Sequence, residues 1–170
     1  VHEAGGTVCH IHVRDPETGK PETNIDAFRE IAREVKSKCD IILCFSTGGG
    51  VGMSTDERAK TVTTFSPELA SFNAGSMNFG LFPALKKYKE WKFDWESKYL
   101  EMTENWIFPN TFLTLREFCK IFRENNSRPE LEAYDAGMIN NIAFLLENEY
   151  LDRPIYIQFV MGVLGGITAS

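Results

Sequence analysis

Five apolar segments of strand length, alternating with stretches of helical periodicity, predict an α/β protein with a parallel sheet. Two further observations narrow the class to a (β/α)8 TIM barrel, of which the chain carries about five consecutive βα units. The run Asp40–Ser46 is continuously apolar between its ends, as a parallel strand buried on both faces should be. Polar side chains (His10, His12, Ser46, Ser76, Glu130 and Glu132) fall at or near the C-terminal ends of separate strands. Barrel enzymes gather functional groups from several strand ends on one face, whereas an open doubly wound sheet concentrates ligands at its switch point. Residues 1–170 therefore read as one partial barrel domain, with an aromatic-rich insertion at about 81–110.

The first strand, Thr7 to Asp15, alternates, so His10, His12 and Arg14 share one face while Cys9, Ile11 and Val13 share the other. Two strand residues separate Cα atoms by roughly 6.6 Å, close enough for both imidazoles to converge on one divalent metal, with zinc well suited. The same pair equally suits two histidines satisfied by hydrogen bonds in a polar interior. Asp15-Pro-Glu-Thr-Gly19 is a turn. Asn24 caps a helix whose apolar residues Ile25, Phe28, Ile31, Ala32 and Val35 recur at helical spacing. After the strand at 40–46 and a glycine loop to Gly52, Ser54-Thr-Asp-Glu57 has capping-box spacing and opens a helix to about Phe65. Ser66-Pro67 ends it, and Glu68–Ala74 is the third strand.

Leu81 to Asn110 differs in character, carrying Trp91, Trp95, Trp106, Tyr88, Phe93, Tyr99 and Phe108 among Lys and Glu. A connection this long and aromatic is expected to pack over the barrel or against a partner subunit. Leu115, Phe118, Cys119 and Phe122 mark the next helix. Pro129–Asp135 is the fourth strand, Met138–Glu147 a helix with Asp135 as its N-cap, and Ile155–Met161 the fifth strand.

Composition excludes several classes. Hydrophobic content of 43% and charged content of 25% are those of a soluble globular protein. A net charge of −6 argues against nucleic acid, both as a basic surface and as a role for the aromatic stretch. Lys86-Lys-Tyr-Lys89 reads as a solvated face. No apolar run suggests a membrane span or signal peptide. Cys9, Cys39, Cys44 and Cys119 lack C-x-x-C spacing, which suits reduced thiols in a cytoplasmic protein. The chain begins at Val1 without methionine and stops at Ser170 just after a Gly-Gly turn, so it reads as the interior of a longer protein. On that reading, residues 1–170 alone should neither close as a monomer nor catalyse, because open sheet edges invite association.

Two segments carry candidate chemistry besides the histidines. Ser46-Thr-Gly-Gly-Gly50 fits no G-x-G-x-x-G register, so it is not a dinucleotide fingerprint. Its amides and the Ser46 hydroxyl suit a carboxylate, or the segment is simply a tight strand-to-helix turn. Glu130 and Glu132 share a strand face and offer a metal ligand, an acid or a base, or else salt bridges to Arg14 or Arg128.

Taken together, H-I-H-V-R-D-P-E-T-G-K, C-D-I-I-L-C-F-S-T-G-G-G, S-P-E-L-A-S-F-N-A-G-S-M-N-F-G, R-P-E-L-E-A-Y-D-A-G and I-Q-F-V-M-G-V-L-G-G resemble the β-keto acid cleavage enzyme family, from about Ala4 to Ala169. The resemblance implies a zinc-dependent (β/α)8 barrel acyltransferase, converting a β-keto acid and acetyl-CoA into acetoacetate and a new acyl-CoA. It implies His10 and His12 as zinc ligands. Ser46, Gly48 and Gly49 become the substrate-carboxylate grip, and Ser76 and Asn78 match a G-[ST]-x-N segment lining the pocket. Glu132 matches the catalytic glutamate of the P-E-x-E strand, with Glu130 as the competing position. The family's first strand, with its own acidic residue, has no counterpart before Val1. Its late G-L-E-D motif, which supplies a third zinc ligand and a catalytic Asp with an Arg upstream, has none before Ser170. The 81–110 stretch also looks longer than the corresponding connection in many relatives. A homo-oligomer is expected. Alternatives are another metal-dependent barrel lyase or hydrolase without CoA, or a catalytically silent barrel fragment.

Overall fold

A computed structural model describes residues 1–48 and 52–169. In chain order its elements are β1 (Val8–Ile11), β2 (Val13–Arg14), β3 (Pro21–Glu22), α1 (Ile25–Lys38), β4 (Ile42–Phe45), α2 (Thr55–Phe65), β5 (Leu69–Asn73) and β6 (Met77–Asn78). They continue as α3 (Asp94–Met102), β7 (Ile107–Phe108), α4 (Phe112–Glu124), β8 (Arg128–Ala133), α5 (Ala136–Glu147) and β9 (Tyr156–Phe159), with short 3-10 turns between some of them. Local chemistry starts the helices where the sequence predicts. Asn24 Oδ1 accepts from the amides of Asp26 (2.9 Å) and Ala27 (3.2 Å). Ser54 and Glu57 form a reciprocal capping box, and Asp135 accepts from the Met138 amide at 3.0 Å.

The five longer strands form one sheet in the order β1-β4-β5-β8-β9. Every neighbour pair is parallel, from Val8 opposite Ile42 to Glu132 opposite Gln158. Strands that neighbour each other in strict sequence order curl into a half-barrel, where a doubly wound sheet would reverse direction. The core lies between the sheet and the helices. β5 is buried throughout its length. Phe72 packs edge-on against Phe118 and Phe122 of α4, and Phe28 of α1 tilts against Phe45.

One expectation needs correction. The first strand is not continuous to Asp15, because the ladder breaks at His12. Val13 and Arg14 pair instead with Glu22 and Pro21 in an antiparallel ribbon, closed by the Asp15 turn. Asp15 Oδ1 accepts from the Thr18 amide and hydroxyl, and Gly19 takes φ +67°, a value that favours glycine. The 81–110 stretch has structure of its own. It holds α3 and short 3-10 turns, and returns through β7, which pairs antiparallel with β6. Within this chain it packs over the strand ends: Trp95 Nε1 donates to the Thr18 carbonyl at 2.9 Å, and Trp106 and Phe108 both meet Phe79.

Candidate active site

The parallel sheet aims alternate residues at one face, and four neighbouring strands, β1, β4, β5 and β8, send polar groups there. From β1 and the break after it come His10 and His12, whose rings stack with centroids 4.9 Å apart and planes 7° from parallel. From β8 comes Glu130, 1% exposed, whose Oε2 accepts from His10 Nδ1 at 2.7 Å and from the Cys44 thiol at 3.3 Å. Glu132 follows two residues on, with Oε1 4.0 Å from His10 Nδ1. Its other oxygen accepts from Asn73 Nδ2 of β5 and from the Tyr134 hydroxyl at 3.4 Å. Both glutamates thus face the His10 imidazole. Among the described residues neither pairs with Arg14 or Arg128, which corrects the salt-bridge alternative; Arg14 instead donates to the Gly19 carbonyl at 2.9 Å.

Electrostatics follow from this packing. Burial disfavours charge on His10, but the Glu130 hydrogen bond and the two carboxylates outweigh it and raise its pKa. Burial, then the positive charges of His10 and Arg14, lower that of His12. Burial pushes Glu130 up, yet hydrogen bonds from His10 and Cys44 leave it below the usual carboxylate range. Glu132 stays raised, by burial and by the Glu130 charge. Burial, reinforced by Glu130, drives the Cys44 thiol far upward, so it remains a protonated donor.

His10, Cys44 and Glu130 place their ligand-type atoms within 4.8 Å of one another. Those atoms are already engaged: the thiol proton and His10 Nδ1 both point at Glu130. The free donor atom is His10 Nε2, which is buried with no hydrogen-bond partner. An imidazole held at Nδ1 by a carboxylate, with an orphaned Nε2 beside a second histidine, fits a zinc-type metal.

A cavity of about 660 Å³ opens beside the pair. Its inner wall includes His12, Ser46, Gly48, Asn73, Glu132 and Tyr134. The insertion roofs it with Trp95, Lys98, Tyr99, Met102, Trp106 and Phe108. Ser46 is buried, and its hydroxyl accepts from the Gly48 amide at 3.1 Å. Gly49 lies outside the described residues. Ser76 and Asn78 are not among the cavity-lining residues: the Ser76 hydroxyl accepts from the Asn110 amide at 2.7 Å, and Asn78 pairs with Ile107. Sequence reasoning missed Asn73 and Tyr134. The signal was present, since Tyr134 continues the Glu130–Glu132 alternation on one face.

Residues 1–170 match the model of the beta-keto acid cleavage enzyme family. The chain belongs to that family. Among the relatives it matches, the 3,5-dioxohexanoate:acetyl-CoA acetone transferase of Paraburkholderia graminis is 39% identical over 165 residues, covering 97% of the chain and 53% of the relative. The 3-keto-5-aminohexanoate cleavage enzyme of Acetoanaerobium sticklandii is 33% identical over 170 residues, covering 99% of the chain and 53% of the relative. The family chain thus spans about half the length of the curated relatives it matches. A solved structure, the ternary complex of ObcA with C4-CoA adduct and oxalate, superposes with a TM-score of 0.69 at 20% identity. It covers 95% of this chain and 34% of the ObcA chain, a likeness of fold.

Proposed function

We propose that this chain forms part of a zinc-dependent (β/α)8 barrel acyltransferase that converts a β-keto acid and acetyl-CoA into acetoacetate and a new acyl-CoA. The observation that carries the reading is His10, pinned at Nδ1 by Glu130 with a buried, unpartnered Nε2 beside His12 and a 660 Å³ cavity. Family membership and relatives whose names join a β-keto acid to acetyl-CoA support it. His10 and His12 would hold the zinc, with a third protein ligand from outside the described residues. When bound, zinc supplies Lewis-acid polarisation of the substrate's keto group.

The chain's own residues do the rest. Glu130 fixes the tautomer and ring orientation of His10. Ser46, Gly48 and Gly49 form the substrate-carboxylate grip, a hydroxyl beside small residues that let an anion approach the main chain. Glu132 is the catalytic glutamate, and its environment favours it over Glu130. It lines the cavity and is oriented by Asn73 and Tyr134, whereas Glu130 is spent on His10 and Cys44. The aromatic roof excludes water from the reacting thioester. In the exchange, the carbon between keto and carboxyl groups bonds to the acetyl carbonyl. The acetyl–sulfur bond breaks, and the freed CoA thiolate adds to the keto carbon. The old bond between the two carbons then breaks, so that the proton first taken from the middle carbon returns to acetoacetate and the acyl group leaves on CoA. Ser76 is tied to the loops around the cavity through Asn110, whose amide donates to its hydroxyl.

The reading carries with it a cytoplasmic setting, supported by the four free cysteines. It also carries a homo-oligomer, supported by the exposed Phe112, Leu113, Ile139 and Phe144. The test is to incubate the natural chain with acetyl-CoA and 3,5-dioxohexanoate, 3-keto-5-aminohexanoate or 3-oxoadipate, and to measure acetoacetate. Metal content is measured in parallel for wild type, His10→Ala and His12→Ala. Acetoacetate formation that needs both histidines and tracks zinc content is expected. CoA-independent cleavage, or full metal content in both variants, would overturn the reading.

A further inference from the structure

Arg58 lies on α2, outside the histidine–carboxylate cluster, and is 5% exposed. No carboxylate pairs with it among the described residues. A buried charge is costly unless every donor is satisfied, and here neutral oxygens do that work. Nε donates to the Thr47 carbonyl at 3.1 Å, Nη1 to the Pro109 carbonyl at 3.2 Å and Nη2 to Asn110 Oδ1 at 2.8 Å. The guanidinium carbon lies over the Phe108 ring at 5.1 Å and the Phe118 ring at 5.0 Å. The planar fork is therefore held by two aromatic rings and at its nitrogens.

Its acceptors belong to two different loops at the same end of the sheet. Thr47 sits between Ser46 and Gly48, both of which line the cavity. Pro109 and Asn110 are where the insertion returns to the barrel. Asn110 extends the connection to a third loop, donating its amide to the Ser76 hydroxyl at 2.7 Å and its Nδ2 to the Gly75 carbonyl at 3.2 Å. A Cβ at Gly75 would stand 2.8 Å from Asn141 Nδ2, which would have to shift from the Ala74 carbonyl it now serves. One side chain thus joins the loop after β4, the loop after β5 and the end of the insertion.

We propose that Arg58 is a positioning residue for the substrate-carboxylate site, holding the 46–48 loop and, through Asn110, Ser76 in one frame with the aromatic roof. This rests on the assignment of Ser46 and Gly48 as the carboxylate grip. Lysine cannot replace it, because three divergent donors in one plane are a guanidinium property.

The test uses Arg58→Lys, Arg58→Met and Asn110→Ala in the natural chain, with amide exchange and steady-state kinetics. Exchange at the Thr47 and Asn110 amides should rise by about tenfold or more in both Arg58 variants, with β5 amides unchanged. For the β-keto acid, kcat/KM should fall about 10- to 100-fold, the loss expected when charge-assisted hydrogen bonds that orient a site disappear. The KM for acetyl-CoA should stay within about twofold. Arg58→Met combined with Asn110→Ala should lose less than the product of the single effects, because both act through one bond. Unchanged exchange at Thr47 and Asn110 would overturn the proposal. So would a uniform loss of protection, or kinetic losses shared equally by both substrates. If Arg58→Met fails to fold, Arg58→Lys and Asn110→Ala carry the same readouts. A wild-type chain inactive on every β-keto acid would sink the carboxylate-grip reading, while the exchange data still decide whether Arg58 orders the loop.

Discussion

Glu130 offers the sharpest test of the metal reading, because it touches the metal site only through His10. Its Oε2 accepts from His10 Nδ1 at 2.7 Å, and the residue is 1% exposed, so no water competes for that bond. Glu130→Gln keeps an oxygen acceptor in place but turns a charge-assisted hydrogen bond into a neutral one of roughly half the strength. With charged bonds worth about 1.5–3 kcal/mol and neutral ones about 0.5–1.5, the loss is about 1–1.5 kcal/mol, or roughly tenfold in zinc affinity. Glu130→Leu removes the acceptor outright, frees His10 to adopt the other tautomer and should cost nearer 100-fold, the upper range for such outer contacts. Competition with a chromogenic chelator measures the zinc dissociation constant of wild type and both variants, with His12→Ala as the reference for a lost ligand. A graded series, Gln weaker than wild type and Leu weaker still, is expected. Wild-type affinity in Glu130→Leu would refute the argument, since His10 would then need no partner at Nδ1.

Ser46→Ala should lower kcat/KM for the β-keto acid by about 10- to 100-fold with zinc still bound; unaltered kinetics would count against the carboxylate grip. Phe72→Ala empties a site that is 2% exposed between Phe118 and Phe122 and should cost about 3–5 kcal/mol in denaturant titrations, so a loss near zero would misplace the core. Glu57 is held below its ordinary value of 4.5 by hydrogen bonds from the Ser54 amide and hydroxyl. Its contribution to stability is therefore present above that value and lost as pH falls through the folded-state pKa. Glu57→Gln should lower the melting temperature at neutral pH and converge with wild type once acid has protonated Glu57 in the folded state; parallel curves would contradict the capping box.

Local patterns in the chain were enough to place the helix starts. Asn24, Ser54 and Asp135 act within three residues of themselves, so no distant contact is needed to interpret them. Alternation put His10, His12 and Arg14 on one face, and the two histidine rings do stack. The roles of the glutamates were not legible. Glu130 and Glu132 differ by two positions on the same strand, and only the neighbouring strands separate them. Cys44 and His10 engage one, while Asn73 and Tyr134 engage the other. Arg58 was invisible for the same reason, since its acceptors lie up to 52 residues away.

By itself the sequence determined the βα alternation, the helix caps and the five motifs of the family, because each depends on residues close together in the chain. Tertiary structure decided the rest. The strict strand order carries the glutamates of β8 to His10, 120 residues away. The Asp15 turn breaks the first strand at His12, and the insertion folds back across the strand ends as a roof. These are non-local pairings. Their selection depends on burying charge and aromatic surface between distant segments, a free-energy balance that no short window of sequence contains.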